Sequence, residues 1–125
     1  MSILGDARQA IVDKLSLAGL VGVLDPTAIH PPCVLVGPPD IERLAVGGQC
    51  VTVTAVFPVV VLVVGPGNGG SLDQLLGDVP AAMIALAHDK PSEATPAVYV
   101  VETNGQAREY PAYEFTCTKM IRINP

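Results

Sequence analysis

The glycines between a long apolar segment and a helical one are the residues whose spacing most directly suggests chemistry. Gly65, Gly67 and Gly70 form a literal G-x-G-x-x-G. In such a motif, backbone N–H groups at a helix N-terminus bind pyrophosphate. However, Pro66 lacks one of those N–H groups, and Asp89 falls in a predicted loop rather than at the end of a parallel strand. We therefore interpret this segment as a strand-to-helix loop, with a small nucleotide-binding module as the less favoured alternative.

Cysteine and histidine side chains are too dispersed to predict a metal site or a nucleophile. His30 and Cys33 form the only close pair, whereas zinc sites usually supply two such pairs. Cys50 and Cys117 lie in strand patterns and are interpreted as buried thiols. The chain has neither a G-x-S-x-G nor a G-K-[ST] motif. We expect no catalytic residue, no cofactor and no metal, and hence a protein that is not an enzyme.

Composition indicates one domain, residues 1–125, with an aliphatic core. Half of the 125 residues are apolar, only 15% are charged, and the formal charge is −5. The seven basic residues are scattered along the chain, which disfavours direct binding of nucleic acid. Three widely spaced cysteines fit free thiols in a reducing compartment. With no signal peptide or membrane span in the sequence, we expect a soluble protein made in the cytoplasm.

Hydrophobic periodicity predicts two helices and several strands. One helix is expected over residues 4–18, ended by Gly19, and another over about 71–87, begun by a Ser71 capping box. Asn104-Gly105 predicts a two-residue hairpin. Two segments are expected to be loops: residues 38–48, as a long loop or a single helical turn, and the polar residues 88–96. Strands are predicted over residues 33–36, 51–64, 98–103, 106–110 and 113–123, with Pro111 interrupting the last two.

These elements predict an α+β fold: a mixed or antiparallel sheet of four to five strands with both helices packed on one face. Residues 59–64 contain no polar side chain, so both faces of that strand should be buried. Two helices can cover only one face. The other face, or an exposed sheet edge, is therefore expected to need a partner, and a homo-oligomer is the simplest one.

Four segments together resemble a known family. They are the proline-flanked PPCVLVGPP (residues 31–39), FPVVVLVV (57–64), the LxxLL helix (72–76) and YPAYEFTCT (110–118). In this order, between an N-terminal helix and a closing hairpin, they resemble the tail terminator proteins of long-tailed, siphovirus-type bacteriophages, particularly those of actinobacterial hosts. The resemblance lies in the order and character of these segments along nearly the whole chain, and it involves no catalytic motif.

The resemblance implies a structural virion protein that is assembled in the host cytoplasm and found in the tail or neck. Its subunits would form a homohexameric ring that caps the tail tube and joins it to the head connector. The implied partners are the chain itself, the major tail tube protein and a head–tail connector or stopper protein. DNA would pass through an acidic lumen without specific binding. Another neck protein, a head–tail stopper or adaptor, is the alternative.

The two predicted loops supply the candidate interface residues. Loops of this length usually carry function or contact a partner. The candidates are Pro38, Pro39, Asp40, Ile41 and Glu42 in the first loop and Asp89, Lys90 and Glu93 in the second.

Overall fold

The computed structural model describes residues 2–63, 69–103 and 105–123. It confirms the α+β class, with two helices and a mixed sheet of six strands. The helices are α1 (Ile3–Leu17) and α2 (Gly69–Ala85). Short 3₁₀ turns cover Pro26–Ala28 and Ala87–Asp89. The strands are β1 (Gly22–Val23), β2 (Cys33–Val36), β3 (Asp40–Gly47), β4 (Cys50–Leu62), β5 (Thr95–Thr103) and β6 (Gln106–Ile123).

The N-terminal helix begins and ends close to where its sequence predicts. The Ser2 hydroxyl accepts a hydrogen bond from the Gly5 N–H at 2.9 Å, which satisfies one unpaired donor of the first turn. Ile11 and Leu15 are fully buried against the sheet. After the helix, Gly19 has φ +83°, the left-handed conformation predicted for it. α1 therefore has one apolar face and a glycine stop, as its periodicity indicates.

The sheet is organised around β4. Its strand order is β1-β2-β4-β6-β5, and β3 also pairs with β4. β6 occupies one edge of β4 along residues 51–62. β2 and β3 follow one another along the other edge, opposite residues 59–62 and 50–56 respectively. β5 pairs only with residues 106–114 of β6. On the β5 side, Ser92 hydrogen-bonds to both backbone groups of Thr116, at 2.8 and 2.9 Å. Beyond Thr116, and within the described residues, β6 has a strand partner on one side only.

The prediction for residues 38–48 was wrong. Asp40–Gly47 form strand β3, antiparallel to β4, with a shift in register between Ile41 and Arg43. Every residue of β3 is exposed. Strand prediction relies on alternating apolar and polar residues, which arise when one face of a strand is buried. β3 has no buried side chain, so its sequence lacks that alternation and was predicted as a loop.

Three further boundaries differ from the predictions. β6 runs without interruption through Pro111, whose carbonyl accepts a hydrogen bond from the Val63 N–H at 3.2 Å. The second helix begins at Gly69 rather than Ser71, so Ser71 is not its N-cap residue. The polar loop is also shorter than predicted, because β5 begins at Thr95 and a 3₁₀ turn ends at Asp89.

The apolar segment of β4 is buried on both faces within a single chain. Residues 59–63 are each at most 8% exposed. On one face Val59, Val61 and Val63 belong to the core cluster to which both helices contribute. On the other, Val60 and Leu62 belong to a second cluster that also includes β2 residues, with Ile29, Tyr99 and Tyr110 packed against it. The expectation that this face needs a partner was therefore wrong.

We expect Gly22→Ala to destabilise the fold by about 1–3 kcal/mol, the usual cost of overpacking. A Cβ at Gly22 would lie 2.9 Å from Val12 Cγ1 and 3.3 Å from the backbone of Val12, where α1 packs on β1. Gly47→Ala is the matched control, since a Cβ there meets nothing within 4 Å. Urea unfolding of both variants measures the difference. Equal stabilities would contradict the close α1–β1 approach.

Candidate assembly surfaces

The outer edge of β3 is an exposed and largely apolar surface. Ile41, Leu44 and Val46 are 49%, 61% and 71% exposed. All three lie on the sheet face that carries the helices, because they pair with alternate residues of β4 on that face. Within the described chain, β3 pairs with β4 alone, so its other edge offers unpaired N–H and C=O groups. We call this surface the β3 edge.

A buried carboxylate organises the opposite side of the molecule. Asp89 is 7% exposed and lies in the turn after α2. Its carboxylate is 2.8 Å from the Lys14 ammonium of α1 and 3.7 Å from that of Lys119 on β6. Both lysines keep part of their side chains in water, at 37% and 17% exposure. Asp89 therefore links α1, the turn and β6 through charge.

Basic residues that are distant in sequence come together around this carboxylate. An open groove of about 520 Å³ runs along the unpaired part of β6 and is lined by His88, Lys90, Lys119 and Arg122, among others. All three lysines of the chain lie here, near the carboxylate of Asp89. Arg122 lines the groove as well, and its guanidinium donates to Cys50. The chain as a whole has charge −5, so this corner has the opposite sign. We call it the basic groove. Basic residues that are scattered along the sequence are thus grouped in space.

Two cysteine thiols are buried, Cys117 in the helix-covered core and Cys33 in the second cluster. Burial, together with the nearby Asp89 charge, raises the pKa of Cys117 to about 12. Burial also raises the pKa of Cys33. A raised pKa keeps a thiol protonated and unreactive at neutral pH. Cys50, at the start of β4, accepts a hydrogen bond from Arg122 Nη2 at 2.9 Å. None of these contacts assembles a nucleophile with a base.

The candidate interface residues divide between these two surfaces. Asp40, Ile41 and Glu42 lie in β3, directly after Pro38 and Pro39. Asp89 and Lys90 lie at the basic groove, with Glu93 exposed in the segment that follows. Asp89 is buried and ion-paired, so it shapes the groove rather than offering a contact surface.

Most of the G-x-G-x-x-G segment lies outside the described residues. Gly65 and Gly67 lie outside the described residues, and Gly70 lies in the first turn of α2. Across residues 2–63, 69–103 and 105–123, no group of three His, Cys, Asp or Glu side chains is placed to hold a metal ion. None of the helices in those ranges is long and apolar enough to cross a bilayer.

Comparison with known proteins finds no family model and no curated protein that matches this chain.

Proposed function

We propose that this chain is the subunit of a bacteriophage tail terminator, a ring that ends the tail tube and joins it to the head connector. The observation that carries the proposal is the β3 edge. An eight-residue strand with every residue exposed, three large aliphatic side chains and an unpaired edge is a liability in a lone protein. In a subunit that works by assembly, such a strand is the surface that assembles.

The position of the resembling segments supports the same proposal. Residues 33–36 of the PPCVLVGPP segment are β2, and they pair with residues 59–62 of the FPVVVLVV segment. The YPAYEFTCT segment is the part of β6 that lies along the other edge of β4. The resemblance therefore rests on residues that are neighbours across the centre of one sheet, rather than on unrelated stretches of sequence.

A stop codon early in this reading frame, introduced in the genome that encodes it, tests the proposal. We expect negative-stain electron microscopy of the released particles to show tail tubes of irregular length and heads without tails. Supplying the intact chain from a plasmid should restore tails of uniform length. Tails of normal length that are merely unattached to heads would instead indicate the alternative, a stopper or adaptor. Normal virions would contradict a tail or neck role altogether.

A biochemical measurement tests the nucleotide-binding alternative. Isothermal titration of the purified chain with ATP and with NAD should give no heat of binding. A stable monomer that binds either nucleotide with micromolar affinity would contradict the terminator proposal and would direct attention to Gly65, Gly67 and Gly70.

A further inference from the structure

Two unpaired strand edges belong to the same part of the sheet. Beyond the region that β2 and β5 cover, the sheet consists of β3, the first half of β4 and the second half of β6. β3 forms one margin of this three-stranded part and β6 forms the other. We propose that neighbouring copies join through unlike surfaces, with the β3 edge of one copy docked along the β6 edge and basic groove of the next. The inference rests on the proposed assembly function and names the surfaces that carry it.

The register of the sheet places residues of β3 and β6 at the same position along the strands, which we call their height. Ile41 and Lys119 lie opposite the same residue of β4, and so do Leu44 and Ile121. Residues opposite one another in a pair share a face. Copies placed side by side at one height therefore bring Leu44 and Val46 of one β3 next to Ile121 and Ile123 of the next β6. The exposed aliphatic side chains of the β3 edge then meet aliphatic side chains.

The charges at that height are complementary. Glu42 is exposed at the start of β3, between Ile41 and Arg43, and therefore lies level with Lys119 and Met120 of β6. On the docked copy, it would meet Lys90 and Lys119 at the basic groove. Asp40 and Arg43 pair with Val56 and Thr54, so both lie on the other face of the sheet, where their opposite charges leave no net charge to oppose this match. Complementary charges fix which surfaces meet and suppress wrong pairings.

Strand direction also fits this junction. β3 and β6 are both antiparallel to β4, so they run in the same direction. A second copy in the same upright orientation would therefore add its β3 to β6 as a parallel strand. Strand addition at an exposed edge supplies backbone hydrogen bonds, while alternate side chains supply specificity. Because the two surfaces differ, the contact is heterologous, and each copy uses both of its surfaces at once.

Charge reversal tests the junction. Sedimentation velocity at concentrations up to about 1 mM, where even weak contacts are populated, should show wild-type chain larger than a monomer. Glu42→Lys should raise the dissociation constant about fivefold or more, and so should Lys90→Glu. Glu102→Lys and Arg108→Glu are the matched controls. They make the same two changes in net charge on exposed residues elsewhere and should assemble like wild type.

Mixing the two reversed variants is the decisive measurement. Each variant has like charges on its two surfaces. In the mixture, every junction between the two different variants joins opposite charges, so assembly should return. A single chain with both reversals should also assemble. Far-ultraviolet circular dichroism checks that each variant is folded. If a reversal disturbs the fold, Glu42→Gln and Lys90→Gln replace it, each with an expected weakening of about twofold or more.

Three results would overturn the junction: a wild-type monomer at every concentration, wild-type assembly by the Lys90→Glu variant, or no recovery on mixing. If Glu42→Lys alone weakened assembly, the result would point to β3 pairing with β3 of a second copy. These results leave the proposed function separately testable, since the stop-codon phenotype does not depend on which surfaces join.

Discussion

Replacing Phe57 by alanine should lower the free energy of unfolding by about 3–5 kcal/mol. Phe57 is fully buried, and among the described residues it is the largest fully buried side chain. It lies on the helix-covered face of β4, in the core cluster that contains residues of both helices. The same cluster contains Phe115, Cys117 and aliphatic side chains, which would border the space an alanine leaves. A close-packed aliphatic core collapses only partly around such a cavity.

Urea unfolding followed by circular dichroism measures this loss. Domains of this size have a total stability of about 5–15 kcal/mol, so the variant should be close to unfolding at 37 °C. Val46→Ala, at a residue 71% exposed, is the control and should change the stability of the monomer by less than about 0.5 kcal/mol. A loss below about 1 kcal/mol for Phe57→Ala would show that this position is not in the core.

Replacing Asp89 by alanine should cost about 2–4 kcal/mol. The change removes the carboxylate that ion-pairs with Lys14 and Lys119, and it leaves the less exposed lysine, at 17%, with a charge that water only partly solvates. It also releases the turn after α2 from α1 and β6. Asp89→Asn keeps the shape and some hydrogen bonding, so its cost should be intermediate. Asp13→Ala, at an exposed carboxylate of α1, is the control and should cost little.

Cys117 provides a second readout of the Asp89 variant. The Asp89 charge contributes to the raised pKa of this thiol, because a nearby carboxylate disfavours the thiolate. Without Asp89 the pKa should fall, and the fraction of thiolate at pH 9 should rise. The rate of labelling of Cys117 by a maleimide should therefore increase at pH 9 under folding conditions. An unchanged stability together with an unchanged labelling rate would contradict the role assigned to Asp89.

The parts of the fold with a local signal were predictable from sequence. Gly19 ends α1 in the left-handed conformation, and Gly105, with φ +78°, lies in the turn of the β5–β6 hairpin. β2 has the predicted bounds. In each case one residue type or one uninterrupted apolar run decides the structure, so no knowledge of distant residues is needed.

Strand β3 escaped prediction for a reason that lies in its irregular register. The shift between Ile41 and Arg43 leaves Glu42 out of the pairing. The apolar residues on one face therefore fall at 41, 44 and 46 rather than at every second position. An extra residue in one strand breaks the period of two on which strand recognition depends. The full exposure of β3 removed the remaining signal, the burial of alternate side chains.

The basic groove was invisible in sequence because its members come from three distant segments. Lys14 lies in α1, Lys90 after the turn that follows α2, and Lys119 and Arg122 in β6. No short stretch of the sequence contains more than two of these four residues. The second core cluster had the same difficulty, since Tyr99 and Tyr110 reach it only because β5 pairs with β6.

The two unpaired margins of the three-stranded part also determine when assembly can stop. If copies join through unlike edges, a dimer, a trimer or any longer open row still has one unpaired β3 and one unpaired β6 at its ends. Adding a copy never reduces that number. Only an arrangement whose last copy meets its first leaves no strand unpaired. The finite size of the assembly would then come from the angle between neighbours, without any residue that acts as a terminator of growth.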